Sequence, residues 1–363
     1  MNVAFRRASF GAGTVQGAVV RDGVGFGAPA GRSGAWEYAR WVGPETAVAF
    51  GATELVLSWT ADTPPGTWIE IGLRGTCPST PWYVLGRWAY GDGDVRRASV
   101  PAQADEHARV AVDTLVAAPG RPWHAYQTRL TLFRRPGMSS GPRVLTQGTM
   151  ASAVYRRRTT RPDGFDGIEL EVPRRSQYAH RHPHWGGGAA WCSPTCMAMV
   201  LSYWNAGPDP VEERCPSGAA ADVDHAARHV YDHAFAGTGN WPFNTAYAGR
   251  FGLDGFVTRL RGLPEAEVLL RAGVPLVASL AFGRGDLPGA GYATGGHLLV
   301  ITGVTPDGDV IVNDPAAPDH HGVRRVYPRE PFERCWHAAS GGVVYVIHPP
   351  GHALPPPPDP ANW

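Results

Sequence analysis

The sequence predicts a two-domain protein of the α+β class, with an N-terminal β-sandwich or jelly roll followed by a domain of helices and an antiparallel sheet. One observation is length, because 363 residues are enough to form two hydrophobic cores. The other is the pattern of apolar and polar residues. Short runs in which the two alternate fill residues 1–160, and segments with a helical and then a strand pattern follow. We therefore divide the chain into a β-sandwich domain at 1–160, a linker at 161–172, a second domain at 173–350 and a proline-rich tail at 351–363. We expect the tail to be loosely ordered, as chain ends often are.

The N-terminal domain is predicted from runs in which apolar and polar residues alternate, with turn residues such as Pro64-Pro65-Gly66 between them. The runs are ELVLSWTA (54–61), TWIEIGLRG (67–75), WYVLGRWAYG (82–91), ARVAVDTLVA (108–117) and YQTRLTLFRR (126–135). Short strands at this spacing are typical of sandwiches and jelly rolls. The same alternation places most of the tryptophans in the core, namely Trp36, Trp41, Trp59, Trp68, Trp82 and Trp88. Tryptophans on the surface would instead indicate a carbohydrate ligand, and the sequence leaves this open.

The second domain begins after a polar, turn-rich stretch. Segment 194–204 is apolar without a breaker and predicts a buried helix, and 221–235 also has a helical pattern. Segment 263–273 is a third predicted helix, since Pro264 stands at its start and Gly273 at its end. Strands are predicted in VPLVASLAF (274–282), GHLLVITGV (296–304), DVIVNDP (309–315), GVRRVY (322–327) and GGVVYVIHP (341–349). Helices first and an antiparallel sheet second define an α+β domain.

Composition and charge exclude several classes of function. The net charge is +1 and the basic block at 156–158 is short, so we expect no nucleic acid as partner. The chain contains no lysine, which excludes a lysine Schiff base, a Walker-type phosphate loop and a Ser-Lys dyad. No apolar run approaches membrane-spanning length, so we expect no membrane partner. Residues 1–20 lack a continuous apolar signal segment, which favours a cytoplasmic location, or a secreted one if the start is truncated.

Two of the five cysteines stand one helical turn apart in GGGAAWCSPTCMAMVLSYW. Their odd number and the absence of a CxxC pair speak against a disulfide framework. Pro194 suits the first turn of a helix, which places Cys192 near unpaired N–H groups and the positive dipole end, where a thiol pKa is lowered. Cys196 lies inside the helix among apolar residues and should be a small buried hydrophobe. The pattern predicts Cys192 as a nucleophile, although a structural cysteine is an equal reading of Cys192 taken alone.

A thiolate nucleophile needs a base, and the base needs a residue that orients it. His297 stands at the start of an apolar strand in GGHLLVITGV, and Asp314 ends the next strand in VIVNDPAAP. In a hairpin of these two strands His297 and Asp314 lie side by side, so the carboxylate can hold the imidazole tautomer. Taken alone, His297 reads as a hydrogen-bonded strand-end histidine and Asp314 as a turn residue before proline. The order Cys, His, Asp, with the cysteine on a helix and the others on strands, is that of papain-like cysteine hydrolases.

These motifs, together with YDHAFAGTGNWPFNTAYAGRFGL, resemble the C39-like peptidase family, in particular its actinobacterial members with a β-rich N-terminal region. The resemblance implies a papain-like fold, a thiol protease activity on a peptide or protein substrate, and no cofactor. It also implies a triad of Cys192, His297 and Asp314. A glutamine upstream of the cysteine completes the oxyanion hole in such enzymes, and Gln177 in RRSQYAH matches that role. Two alternatives stay open: acyl transfer of the transpeptidase kind on the same fold, and an inactive protein that binds a glycan or peptide.

Other side chains suggest a metal site or the wall of a cleft. His225, His229 and His233 are four residues apart on the predicted helix 221–235 and could bind a metal or form a solvated face. His182 and His184, together with the two neighbouring cysteines, match no zinc spacing. We therefore assign no metal site.

The segment AGTGNWPFNTAYAG (236–249) is rich in glycine, asparagine and aromatic residues. It is predicted either to line the substrate cleft, with Trp241 and Asn244 as contacts, or to form a tight surface loop.

Overall fold

The computed structural model describes residues 2–153, 160, 166–180, 184–209 and 221–363. The predicted fold class is confirmed: a β-rich N-terminal region is followed by an α+β part. Residues 161–165 of the predicted linker, 161–172, lie outside the described residues. None of the described helices is long and apolar enough to cross a membrane.

The described N-terminal region consists of two sheets. Its strands are β1 (Val3–Arg7), β2 (Thr14–Gln16), β3 (Ala18–Val20), β4 (Val24–Phe26), β5 (Gly31–Ser33), β6 (Trp36–Val42), β7 (Thr46–Ala52), β8 (Glu54–Asp62), β9 (Thr67–Cys77), β10 (Tyr83–Trp88), β11 (Ala108–Ala111), β12 (Thr114–Ala117), β13 (Trp123–Arg134) and β14 (Arg143–Ser152). The first sheet has the order β11-β12-β8-β14-β4-β3, with β1 also on β14. The second has the order β10-β9-β13-β6-β2, with β5 on β6 and β7 on β13. The predicted run 108–117 is two strands rather than one, because a tight turn folds β12 back on β11.

The tryptophans of this region are mostly in the core, as the alternation predicts. Trp41, Trp59, Trp68 and Trp88 are at most 9 % exposed. The other two are partly exposed but in contact with neighbours: Trp36 packs edge-on against Trp68, and the guanidiniums of Arg74 and Arg129 lie over the ring of Trp82.

The described C-terminal part is one sheet with helices packed on it. Its strands are β15 (Ile168–Glu169), β16 (Asp254–Arg259), β17 (Leu276–Phe282), β18 (Thr294–Val304), β19 (Val310–Asn313), β20 (Arg324–Tyr327) and β21 (Val343–His348). Its helices are α1 (Cys192–Tyr203), α2 (Ala221–Val230), α3 (Trp241–Gly249), α4 (Leu263–Arg271) and α5 (Arg329–Ser340). The sheet order is β16-β21-β17-β18-β19-β20, with β15 pairing with β18. All pairings are antiparallel.

Two predicted segments differ from the structure. The helix predicted at 221–235 ends at Val230, because the carboxylate of Asp232 accepts hydrogen bonds from the backbone N–H groups of Ala234 and Phe235 and closes a turn there. The segment 236–249 is not a surface loop, since its second half is the buried helix α3.

Helix α3 also connects the two domains. Asn240 caps it by accepting a hydrogen bond from Phe243 N–H. The fully buried ring of Phe243 packs against Trp59 and Trp88 of the sandwich, with centroid distances of 6.1 and 5.2 Å. The buried apolar residues of both domains therefore form a continuous core.

The proline-rich tail is packed against the body, contrary to our expectation. Asn362 is fully buried, and its amide donates to the carbonyl of Arg259 and the carboxylate of Glu265. The carbonyl of Ala361 accepts a hydrogen bond from Phe5 N–H in β1. Three hydrogen bonds and one buried side chain thus fix the last residues between the domains.

Candidate active site

Cys192 is the first residue of helix α1. The helix is almost entirely buried and packs against β18. Because the first N–H groups of a helix have no partner inside the helix, the thiol lies beside unpaired donors and the positive end of the dipole. Pro194 falls in the first turn, where its missing N–H is no loss. The helix therefore begins two residues earlier than the predicted 194–204.

His297 and Asp314 are brought together by the β18–β19 hairpin. Val300 of β18 pairs with Asn313 of β19, so His297 and Asp314 lie on the same side of that pair. His297 Nε2 is 2.8 Å from Asp314 Oδ1, and both side chains are buried. Since Nε2 is occupied by the carboxylate, Nδ1 is the ring nitrogen left for the hydrogen bond with the Cys192 thiol.

Asp314 accepts hydrogen bonds at both oxygens. Besides His297, Oδ1 accepts from Ala316 N–H at 2.9 Å. Oδ2 accepts from the hydroxyls of Tyr292 at 2.8 Å and Tyr327 at 2.6 Å, and the guanidinium of Arg325 lies 3.9 Å away. The carboxylate is thus fixed in one orientation. Tyr292, Tyr327 and Arg325 could not be predicted from the sequence, because none belongs to a motif.

The pKa values within this group favour an ion pair. Burial alone would raise the pKa of the Cys192 thiol, but the hydrogen bond and charge of His297 outweigh burial and lower it. Burial alone would lower the pKa of His297, but the charge and hydrogen bond of Asp314, with the contribution of Cys192, raise it to about 10. Asp314 is also buried, yet His297 and the hydroxyl of Tyr327 hold its pKa well below the usual range. The favoured state is a thiolate beside an imidazolium and a carboxylate.

Cys196 has the opposite character. Its side chain is fully buried in the core, and burial raises the pKa of its thiol well above the ordinary value. Within one helical turn, therefore, the Cys192 thiol ionises readily and the Cys196 thiol stays neutral.

Gln177 lies in a short 3₁₀ turn, Gln177–Ala179, that docks on the segment after Asp314. Its N–H donates to the carbonyl of Pro315, and its side-chain Nε2 donates to the carbonyl of Ala189 at 2.9 Å. A second 3₁₀ turn, Gly188–Ala190, fits closely against the first: a Cβ on Gly188 would lie 2.5 Å from the carbonyl oxygen of Gln177. Gln177 and Cys192 both line one cleft.

That cleft has a volume of about 650 Å³. Cys192, His297, Tyr292 and Gln177 line one part of it. Other walls come from the segment before α3, the loop before β18 and the end of α5, with Phe235–Gly239, Trp241, Ala293–Gly296 and Ala339–Ser340. The prediction that segment 236–249 contributes Trp241 to the cleft agrees with this lining. Asn244 is fully buried in α3 instead, and its amide donates to the carbonyls of Thr238 and Asn240.

The histidine stripe does not converge on a metal site. His225 Nδ1 is 2.7 Å from the hydroxyl of Tyr247 and Nε2 is 3.2 Å from that of Tyr90, so both ring nitrogens have partners. His229 stacks on Tyr90, and His233 lies beyond the end of α2. Among the residues that the structure describes, no three His, Cys, Asp or Glu side chains are placed to hold a metal ion. His182 and Cys215 lie outside the described residues.

Comparisons with known proteins agree with this architecture. Residues 4–152 match the family model described as Peptidase C39 N-terminal domain, and residues 169–344 match that of the Peptidase_C39 like family. The C-terminal part of the chain, residues 169–344, is therefore similar to the C39-like peptidase family. Its function is accordingly of the peptidase type. No curated protein matches the sequence significantly.

Similar solved structures are distant. A proposed C39-like peptidase from Bacillus anthracis is 15 % identical with a TM-score of 0.34, covering 49 % of this chain and 97 % of its own. A fragment of prointerpain A from Prevotella intermedia is 15 % identical with a TM-score of 0.31, covering 55 % and 77 %. TmCBM61, in complex with β-1,4-galactotriose, is 11 % identical with a TM-score of 0.15, covering 40 % and 83 %.

Proposed function

We propose that the protein is a cysteine peptidase or amide hydrolase that works through an acyl-enzyme, with Cys192 as nucleophile, His297 as base and acid, and Asp314 as the orienting carboxylate. The observation that supports this most strongly is the 2.8 Å contact of His297 Nε2 with Asp314 Oδ1 in the cleft that Cys192 also lines, and the pKa directions of the two cysteines of α1 agree with it. Cys192, beside His297, has a lowered pKa, whereas Cys196, one turn further on, has a raised one. Perturbed groups gathered in a cleft are characteristic of catalytic sites.

The first half of the reaction forms the acyl-enzyme. The Cys192 thiolate, whose proton is already on Nδ1 of His297, attacks the carbonyl carbon of the scissile amide. Asp314 keeps Nε2 protonated and stabilises the imidazolium that results. The tetrahedral intermediate collapses when the imidazolium gives its proton to the leaving amine, which breaks the C–N bond.

The second half returns the enzyme to its starting state. A water molecule gives a proton to Nδ1 of His297 and attacks the thioester carbon. Collapse of this second intermediate breaks the C–S bond and releases the carboxylic acid, and Cys192 is again a thiolate beside an imidazolium. Both halves use only the substrate, water and the side chains of this protein.

The negative oxygen of each intermediate needs hydrogen-bond donors. The backbone N–H of Cys192 is at the helix start and has no partner within the helix. Gln177 Nε2 uses one of its two hydrogens on the carbonyl of Ala189 and keeps the other. We assign these two donors to the oxyanion, since Gln177 lines the cleft that holds Cys192.

Peptide hydrolysis tests the proposal. A library of quenched-fluorescent peptides is incubated with the wild-type protein, with Cys192→Ser and with Cys196→Ser as the matched control from the same helix. We expect cleavage by the wild type and by Cys196→Ser, and none by Cys192→Ser. Cleavage that survives in Cys192→Ser would overturn the nucleophile assignment.

Two further measurements separate the proposal from its alternatives. Iodoacetamide at neutral pH should modify Cys192 and leave Cys196 unmodified, as mass mapping of the adduct would show. A peptide joined to an added amine in place of hydrolysis would indicate acyl transfer. Absence of both turnover and a Cys192 adduct would indicate an inactive binding protein.

A further inference from the structure

A second cavity continues the cleft toward the N-terminal domain. It has a volume of about 520 Å³. Phe235, Gly239, Trp241, Ala339 and Ser340 line both cavities, so the two form one groove. The far wall of the groove belongs to the sandwich.

That far wall is one face of the β11–β12 hairpin. Arg109 faces Val116 across the two strands, and Ala111 faces Thr114. These four residues all line the cavity, as side chains two apart on paired strands should. Leu115, which points the other way, is fully buried in the sandwich core.

The tip of the hairpin holds the aromatic wall of the groove. The turn is Val112-Asp113, and Val112 has φ +57°, a left-handed conformation that a β-branched residue rarely adopts. The Asp113 carboxylate accepts hydrogen bonds from the Thr114 hydroxyl at 3.0 Å and from Trp241 N–H at 2.8 Å. The turn thus positions the first residue of α3, whose side chain stands where the two cavities meet.

The floor of the groove is fixed across the domain junction. The guanidinium of Arg259 pairs with Glu54 of the sandwich and donates to the carbonyl of Ser340 at 2.9 Å. The charge of Arg259 is therefore already paired with a carboxylate of the protein. Arg109 differs: it is exposed on the groove wall, and among the described residues no carboxylate lies within ion-pair distance of it.

We propose that the N-terminal domain supplies the distal part of the substrate groove, so that an extended peptide bound at Cys192 passes Trp241 and Phe235 and lies along the β11–β12 hairpin, with a carboxylate on Arg109. This inference rests on the proposed function, since it assigns the substrate class of the same cleft. Phe235, which is 49 % exposed, and Trp241 offer apolar contact, and Arg109 offers the unpaired charge. The ligand is therefore an extended peptide with an acidic group several residues from the bond that is cleaved.

The test compares long and short substrates. A sequence cleaved from a library of quenched-fluorescent decapeptides is shortened one residue at a time from each end, and kcat/KM is measured for each length. In the wild type, lengthening from one end should raise kcat/KM by about tenfold or more, because contacts remote from the reacting bond add binding energy. Exchanging Glu for Gln, or a free C-terminus for an amide, then identifies which carboxylate meets Arg109.

Two variants locate the effect. Ala111→Trp fills the groove and should remove most of the gain from length, with kcat/KM for the shortest substrate unchanged. Arg109→Glu should lower kcat/KM for the acidic long peptide several-fold, by about the size of an exposed ion pair, and spare its neutral analogue. Arg32→Glu, an exposed arginine of the same domain outside the groove, is the control and should change nothing.

The outcomes distinguish the groove proposal from the proposed function. Cleavage with no dependence on length, or an equal dependence in Ala111→Trp, would overturn the groove and leave the peptidase intact. Failure to cleave any peptide would refute the proposed function itself, and the groove inference with it.

Discussion

The charge of Asp314 is the part of the site whose removal gives the clearest result. Asp314→Asn keeps the size of the side chain. Its oxygen can still accept from His297 and Ala316, while its amide can donate to the hydroxyls of Tyr292 and Tyr327, which then act as acceptors. The substitution therefore removes the charge and keeps these four contacts, while the two tyrosine hydroxyl hydrogens lose their acceptor.

The expected size of the effect of Asp314→Asn follows from the pKa of His297. Burial opposes the imidazolium, and the charge of Asp314 is the leading influence that raises the pKa from 6.5 to about 10. If about two pKa units are lost with that charge, at 1.36 kcal/mol each, the ion pair is ~100-fold less populated. Because His297 lowers the pKa of Cys192, the Cys192 pKa rises when the imidazolium is lost.

The assay is the rate of Cys192 alkylation by iodoacetamide as a function of pH, with the adduct mapped by mass. In the wild type the reaction should rise with pH well below the ordinary cysteine value of about 8.5, since the thiolate is already formed. In Asp314→Asn the rise should move to higher pH, and the neutral-pH rate should fall by about ten- to one-hundred-fold. Asp307→Asn, an exposed change in the turn at the other end of the β18–β19 hairpin, is the control. A wild-type pH profile in Asp314→Asn would refute the reasoning that the carboxylate stabilises the ion pair.

Further predictions concern the supports of the site and the domain junction. Tyr292→Phe and Tyr327→Phe each remove one hydroxyl from the same oxygen of Asp314, so both should lower kcat by a similar factor. The double variant should lower kcat by less than the product of the two single factors. A change in KM that is confined to Tyr292→Phe would mean that Tyr292 contacts the substrate instead. Phe243→Ala should lower the free energy of unfolding by about 3–5 kcal/mol in a chemical denaturation experiment, because it empties a buried site between two tryptophans. His225 and His229 are held neutral by burial, which lowers their pKa values to about 4 and about 3, so their contribution to stability should be constant above pH 6.5 and fall below it by up to about 1.4 kcal/mol per pH unit for each histidine. A thermal midpoint that does not change between pH 7 and 5 would contradict this last prediction.

The residues at the centre of the site could be predicted because their signals are local. Pro194 places Cys192 at a helix start, and two strands joined by a tight turn bring His297 and Asp314 to the same end. The supports of Asp314 could not be predicted in this way. Tyr292 and Tyr327 are 22 and 13 residues from Asp314 in sequence, and they reach it only through the course of a loop and the pairing of β20 with β19.

Two helices and one strand were not predicted, and the strength of their signal in the sequence differs. Helix α5 buries Phe332, Cys335 and Trp336, a spacing of three and four that predicts a helix, so the pattern is present in the sequence. Helix α3 has a readable start at Asn240 and Pro242, but it is short and almost wholly buried, so it lacks the polar face that would mark its period. Strand β16 gives a weak signal, because five of its six residues are buried and alternation is lost.

Helix α3 explains why the sandwich and the peptidase-like part are built as one body. Its inner side inserts Phe243 between Trp59 and Trp88, and its first N–H is held by Asp113. The same helix presents Trp241 to the groove. A helix of nine residues is too short to be stable by itself, so its position depends on tertiary contacts, and many of these come from the sandwich. One wall of the cleft is therefore only as rigid as the N-terminal domain that supports it, and a substitution in the aromatic pocket around Phe243 should weaken substrate binding even though it is remote from Cys192.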